Sequence, residues 1–266
     1  MDTDVHWIVS APVHSTRRKD IPLSQQKLVW AFSAGCCSFP GCPVRGLARE
    51  TELDDATVIA EVAHIHSYED DGPRANLVLS LTDRNNYLNL LSLCPTHHTL
   101  VDKQPKSYTA EMLRRWKKDT EERVADGLRN TMPHITFMEL KQITASLITH
   151  SGPVSLDLTV IPPAEKIGKN KLSHIVHSYL AIALAKAVVV RDFIDQFTRL
   201  DDTFSARLRT GFVEEYGRLK AAGLSGDELF QEMLSFATGT KPDLKTQAAG
   251  LAILGYYFEA CEVFEK

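Results

Sequence analysis

Apolar positions first take up helical spacing at Leu28 and Phe32, on one side of a short helix that the sequence predicts to start with Ser24 as its cap and to stop at Gly35. Before it, residues 1–22 carry Arg17-Arg18-Lys19 and Pro12 and Pro22 without either period, and read as a loosely ordered arm that is either solvated or in contact with phosphate. Thr57 to Ile65 is β-branched and apolar, which predicts a strand delivering His64 near its end. Asp70 to Asn76 is turn-rich. Thr109 predicts the cap of a helix running to about Leu128, with Leu113, Trp116, Val124 and Leu128 on its apolar side. Its run Arg114 to Lys118 is followed by Asp119, Glu121 and Glu122, so this surface is either a salt-bridged solvated face or one that lies along DNA.

Beyond Met132-Pro133 the pattern changes. Residues 134–149 read as a helix or a mixed segment, and Val154, Leu156, Leu158 and Val160 alternate with polar residues as in a half-buried strand. From Asn170 onwards the spacing is helical, over about 171–198, 203–222, 226–237 and 243–264, with Gly223 and Gly239 where C-caps are expected. The stretch Tyr256 to Phe264 is aromatic and belongs either to a core or to a partner-binding surface, with Tyr257, Phe258 and Phe264 as the anchors of such a surface. This divides the chain into an arm (1–22), a mixed domain (23–129), a connecting segment with a short strand (130–165) and a helical domain (166–266), an α+β organisation that suits 266 residues.

Composition narrows the classes. Hydrophobic content of 44% and charged content of 24% are those of a folded chain. No apolar run reaches the roughly 20 residues that span a bilayer, and no leader is legible, so a cytoplasmic protein without a membrane partner is expected. The net charge of −4 is shared by both halves, which excludes a generally basic nucleic-acid binder. Contact with DNA has to come from a local patch, a metal or a partner.

Four of the five cysteines lie in the first hundred residues near histidines, a distribution that favours metal over disulfides in a reducing compartment. Cys37 and Cys42 flank a Pro-Gly turn, and Cys94 and His97 have zinc-hairpin spacing, so these four are the expected Cys3His zinc site, with Cys36 as a substitute for Cys37. His97 and His98 point about 100° apart around a helix. His98 and Asp102, four apart, share the other face and can grip a second cation. Arg74 either clamps a phosphate or pairs with Asp70 or Asp71. His66, two residues after His64, is a secondary candidate.

Taken together, Cys37-x4-Cys42, Ala-His64-Ile, Gly-Pro-Arg74, Asn89-Leu and Leu-Cys94-Pro-Thr-His-His98 resemble the HNH endonuclease family over about residues 25–125. The resemblance implies a ββα-metal fold with a zinc knuckle and a metal-dependent DNA endonuclease. It makes His64 the general base, has Asn89 fix the hairpin and that base, and has His98 and Asp102 ligate a catalytic Mg²⁺ or Mn²⁺, with Arg74 and Lys103 as DNA contacts. Ala63 stands where many members carry a further ligand, so Glu61, another carboxylate or waters must complete the coordination. A neutral imidazole at His64 could take a proton from water, and the resulting hydroxide would displace the 3′ oxygen, leaving a 5′ phosphate.

The C-terminal half resembles the C-terminal domains of bacterial ABC three-component defence systems. That implies an antiphage role, with an SMC-like ABC ATPase and a small third component as partners; a homo-oligomer is a separate expectation. The alternatives to an enzyme are a zinc-braced nucleic-acid-binding module and an assembly subunit dominated by its helical half.

Overall fold

The computed structural model describes residues 20–147, 163–239, 243–260 and 263–265. The alternating stretch 154–160 and the basic run 17–19 lie outside these residues. Among the described residues the chain is a mixture of helices and two small sheets.

Helix α1 spans Leu23–Phe32 and buries Leu28, Val29 and Phe32. It starts two residues earlier than expected: Pro22 is its N-cap and Ser24 lies in the first turn, because Pro22 already holds the extended backbone an N-cap needs. Strand β1 (Leu47–Ala48) pairs antiparallel with β2 (Thr57–Val58), and β3 (Glu61–His64) pairs antiparallel with β4 (Leu90–Leu93), with His64 opposite Leu90. The strand expected over Thr57–Ile65 is therefore two, broken at Ile59-Ala60, whose backbone N–H groups both donate to the Gly46 carbonyl. Propensity along the run is uniform; the two partners are not.

Between β3 and β4 come a loop, a short helix α2 (Leu81–Arg84) and a 3-10 turn (Tyr87–Asn89). The buried Arg84 side chain ties this excursion together, donating to the Tyr68 and Leu79 carbonyls and to Asp70. Helix α3 (Pro95–Lys103) follows β4 directly, with Pro95 in its first turn, where a missing N–H costs nothing. Helix α4 (Ala110–Thr131) has the expected cap, Thr109 accepting from the Met112 N–H.

Helices α5 (Phe137–Leu147), α6 (Pro163–Lys169), α7 (His174–Leu184), α8 (Ala187–Thr198), α9 (Phe204–Ala221), α10 (Gly226–Thr238) and α11 (Leu244–Glu259) complete the described chain. The single helix expected over 171–198 is two, α7 and α8, bent by 53° across Ala185-Lys186. No single described helix is long and apolar enough to cross a membrane. Gly223 and Gly239 take positive φ after α9 and α10, as C-cap positions favour. Helix α11 is the axis of this half, and its Gly255 lets α7 approach: a Cβ there would sit 2.4 Å from that of Ala183. Tyr257, Phe258 and Phe264, expected as possible docking anchors, are 3%, 0% and 3% exposed and pack against Phe212, Phe230 and one another, so they are core.

Among the described residues there are two apolar clusters, and β4 lies between them. Leu91 and Leu93 face the smaller cluster with Cys37, Ala63, Ile65, Cys94, Val101, Leu113 and Trp116; Leu90 faces the larger one. That is why all four β4 residues are buried rather than alternating. The larger cluster runs across the expected boundary near residue 130, joining Leu28, Val29, Phe32, Tyr87 and Leu90 to Val176, Tyr179, Leu180 and Phe230. A polar seam follows the same line. Gln25 accepts from the Tyr87 N–H and donates to Glu228, while the Tyr87 hydroxyl and the Lys117 ammonium both donate to Glu121, with Lys117 Nζ 3.4 Å above the Tyr87 ring. Burial pulls the Lys117 pKa down against the opposing pull of Glu121.

Phe32, fully buried against Tyr87 and Tyr179, links the two halves. Phe32→Ala should cost about 3–5 kcal/mol in urea unfolding, and Val188→Ala, at a site 64% exposed, less than about 0.5 kcal/mol.

Candidate metal centres and cleft

The first centre is built from two local turns brought together by the β4–α3 junction. Cys37 and Cys42 sit at either end of the Ser38–Gly41 turn, and Cys94 is the N-cap of α3 with His97 in its first turn. One donor atom from each of the four lies within 4.8 Å of every other. His97 Nδ1 is 3.2 Å from Cys94 Sγ and 3.5 Å from Cys37 Sγ. Tetrahedral zinc with thiolate arms of about 2.3 Å asks for donor separations of about 3.7 Å, so the residues fit that ion. The sequence-expected set is the one assembled; Cys36 takes no part and directs its thiol toward the Ala34 carbonyl.

The packing around this cluster orients it. The Phe39 ring stacks on the His97 imidazole at 3.8 Å and 1°, and Trp116 abuts Phe39 edge-on. Without a cation, burial pushes the Cys37 thiol up to about 12. Neutral, buried thiols gain little here, whereas a divalent cation would stabilise the thiolates and join the 37–42 turn to α3.

The second site is a cleft of about 80 Å³ lined by His64, Ser67, Tyr68, Glu69, Gly72, Pro73, Arg74, His98 and Asp102. His64 enters from the end of β3, and His98 and Asp102 from successive turns of α3. His64 is 8% exposed, and its Nε2 lies 2.9 Å from Asn85 Oδ1. Asn89 does not touch the cleft. It acts as a backbone surrogate, accepting from the His66 N–H at 3.0 Å and donating to the His66 and Arg84 carbonyls at 2.8 Å each. It therefore pins the chain after β3 to the chain before β4, the hairpin-fixing part of its expected role, while the residue on the His64 ring is Asn85.

His98 stands between two carboxylates, its Nδ1 2.6 Å from Glu61 Oε2 and its Nε2 3.4 Å from Asp102 Oδ2. The hydrogen bonds that His98 donates to Asp102 and Glu61 outweigh burial and raise its pKa above the ordinary value. Burial alone would raise Asp102, but His98 and Arg74 hold its carboxyl below the usual range. Octahedral Mg²⁺ or Mn²⁺ asks for neighbouring donors about 3 Å apart, so His98 Nε2 and Asp102 Oδ2 fit as two ligands of a cation that keeps several waters. Glu61 is at the opposite ring nitrogen, so it orients His98 in this arrangement.

Arg74 pairs with neither Asp70 nor Asp71. Its side chain is 4% exposed and donates to Asp102 at 2.5 Å and to the Ile65, Val101 and His64 carbonyls at 2.9, 2.6 and 3.3 Å. Asp70 is taken by Arg84. Arg74 holds φ at 55°, an unusual conformation for a side-chain-bearing residue. Its carbonyl lies 2.7 Å from His66 Nδ1, and Arg114 lies 2.6 Å from His66 Nε2, which occupies both ring nitrogens of His66 within the fold. Lys103, in the last turn of α3, is exposed. Asn85 was not read from the sequence; the Asp83-Arg84-Asn85-Asn86 stretch reads only as a turn.

Two outcomes are expected. Purified protein should carry about one zinc per chain that survives dialysis, and Cys42→Ser should lose both the metal, by elemental analysis, and much of the soluble yield. In zinc-loaded protein without added Mg²⁺ or Mn²⁺, an NMR titration should place the His98 midpoint above 6.5, and Asp102→Asn should lower it. With His98 raised and Asp102 lowered, their attraction stabilises the fold between the two pKa values. It is lost as pH rises through the His98 value or falls through that of Asp102.

No protein-family model matches this chain and no curated protein matches it.

Proposed function

We propose that this protein is a metal-dependent endonuclease of the HNH type that hydrolyses phosphodiester bonds in DNA. One observation carries the reading: an imidazole on a strand end, His64, shares a single cleft with a His-carboxylate pair on a facing helix, His98 and Asp102. Supporting it is the chain order, in which β3, β4 and α3 succeed one another and the Cys/His cluster braces the β4–α3 junction.

In this reading His64 accepts a proton from water, and the hydroxide formed attacks phosphorus as the bond to the 3′ oxygen breaks, leaving a 5′ phosphate. His98 and Asp102 hold the cation, which when bound would stabilise negative charge developing on the phosphate and the leaving oxygen. Glu61 orients the His98 ring. Arg74 anchors Asp102 from inside the fold, so phosphate contact falls to exposed side chains such as Lys103. A compact cation site suits the chain's charge: with a net −4 it draws little on long-range attraction to DNA, and local contacts must position the strand. The helical half, sharing its core with α1 and α4, controls this head by holding it in place.

The test is cleavage of supercoiled plasmid with Mg²⁺ or Mn²⁺. Wild type should nick it and chelator should stop it. His64→Ala should fall at least about 100-fold with circular dichroism unchanged. Asp102→Asn, which keeps an acceptor for Arg74, should require more metal for the same rate. An inactive wild type with full zinc, or a His64→Ala variant cutting at the wild-type rate, overturns the reading.

A further inference from the structure

We propose that the groove between the end of α4 and the bent pair α7–α8 binds a small amphipathic organic anion, with its apolar body on the groove floor and its phosphate or carboxylate at the basic end. The site shares no residue with the cleft and does not depend on the nuclease reading.

The groove has a volume of about 650 Å³, within the roughly 300–1,000 Å³ of sites that take small molecules. One stripe of α7 forms its long wall, where His174, Ser178, Ala181 and Ala185 recur at helical spacing. The opposite face of α7 buries Val176, Tyr179, Leu180 and Ala183 in the larger cluster, so this stripe is what the helix leaves uncovered. The 53° bend across Ala185-Lys186 turns α8 aside, and Lys186 and Val189 line the groove beyond it. The facing wall is Arg129 at the end of α4 with Met132 and Pro133 of the 3-10 turn that follows, Met132–His134. Lys186 spans the two walls, its Nζ donating to the Pro133 carbonyl at 3.2 Å, which fixes their separation.

The lining is graded from one end to the other. His174, His177 and Ser178 occupy the first half of α7, the two imidazoles edge-on with centroids 6.4 Å apart, and Ala181, Ile182 and Ala185 occupy the second half. Met132 and Ile182, 3% and 5% exposed, give the floor its apolar surface. Arg129 belongs to the histidine end, since it lines a neighbouring hollow together with His174 and Ser178. Among the described residues no carboxylate lines the groove itself; Glu121, Glu122 and Asp126 lie in that neighbouring hollow, with Lys117 and Lys118. Arg129 pairs with Asp126 three residues before it, but both side chains are more than half exposed, where such a pair contributes little. The pair engages Nη1, so the guanidinium keeps further N–H donors for an incoming anion.

These features select one class of occupant. An inorganic anion would leave the apolar floor wet, and a neutral hydrophobe would leave the imidazoles and guanidinium unmatched. A protein face would need about 800 Å² of contact, whereas the stripe from His174 to Ala185 is only about 17 Å long. A compact molecule carrying both an apolar body and an anionic group satisfies both ends.

The experiment is calorimetric titration of the full-length, zinc-loaded protein with 1-naphthyl phosphate, beside inorganic phosphate and 1-naphthol as the two halves of that probe. Wild type should bind one 1-naphthyl phosphate per chain with a Kd at or below about 1 mM, and each half should bind at least about 10-fold more weakly. Arg129→Ala should weaken the probe about 10-fold, and Ala181→Glu, which sets a carboxylate in the groove, should abolish binding. Both positions are exposed, and circular dichroism with zinc content verifies that the variants are folded. Saturating probe should raise the melting midpoint of wild type and leave that of Ala181→Glu unchanged. No saturable binding, a half that binds as tightly as the whole probe, or wild-type affinity in a folded Ala181→Glu variant overturns the proposal. No cleavage is measured, so a wild type that cuts no plasmid would count against the nuclease reading alone.

Discussion

The buried guanidinium of Arg74 is the constraint on which the cleft depends. It joins the end of β3, through the His64 and Ile65 carbonyls, to α3, through the Val101 carbonyl and the Asp102 carboxylate. Taking such a group from water is costly, and the structure offsets the cost with three carbonyls and one counter-charge on separate donors. Those same bonds set the separation of His64 from the His98–Asp102 pair. Lysine, a point charge with a single nitrogen, could not span the four acceptors, so this position is one where the two basic residues are not interchangeable.

Around that tie the site is assembled in layers of decreasing locality. The Cys/His cluster needs only two turns and the start of a helix. His98 and Asp102 need one helix face. His64 needs a strand pairing, and its orientation needs the α2 turn, which Arg84 and Asn89 hold in place. Each layer immobilises the one before it, which is how a small cleft on a mostly helical chain can present converging polar groups.

The same ordering explains what could be read from residues alone. Cys37, Cys42, Cys94 and His97 were legible because each pair is close in sequence and its spacing is a geometric demand of the ion. His98 with Asp102 was legible from helical periodicity. For Arg74 the residues alone left a phosphate and the nearby Asp70 and Asp71 as alternatives, whereas its partner lies 28 positions away on α3. Asn85 gave no signal, since an asparagine in a turn is ordinary and its role exists only once β3 returns beside it. The break at Ile59-Ala60 was hidden by uniform β propensity, and the bend at Ala185-Lys186 by apolar content that continues on both sides of it. The aromatic end of the chain was ambiguous because an aromatic stripe looks alike whether it faces a partner or the protein's own α9 and α10.

The apolar cluster that crosses from α1 and β4 into the helical half bears on how such a chain could be recombined. A crossover at residue 130 or 162 would deliver a head with Leu28, Val29, Phe32 and Tyr87 facing water, and a bundle lacking the side chains that close it. Any exchange that preserves both packing surfaces has to carry α1 and the last turns of α4 along with the helices they cover. The unit of inheritance is therefore the shared core, and the cleft travels with the helices behind it rather than as a cassette.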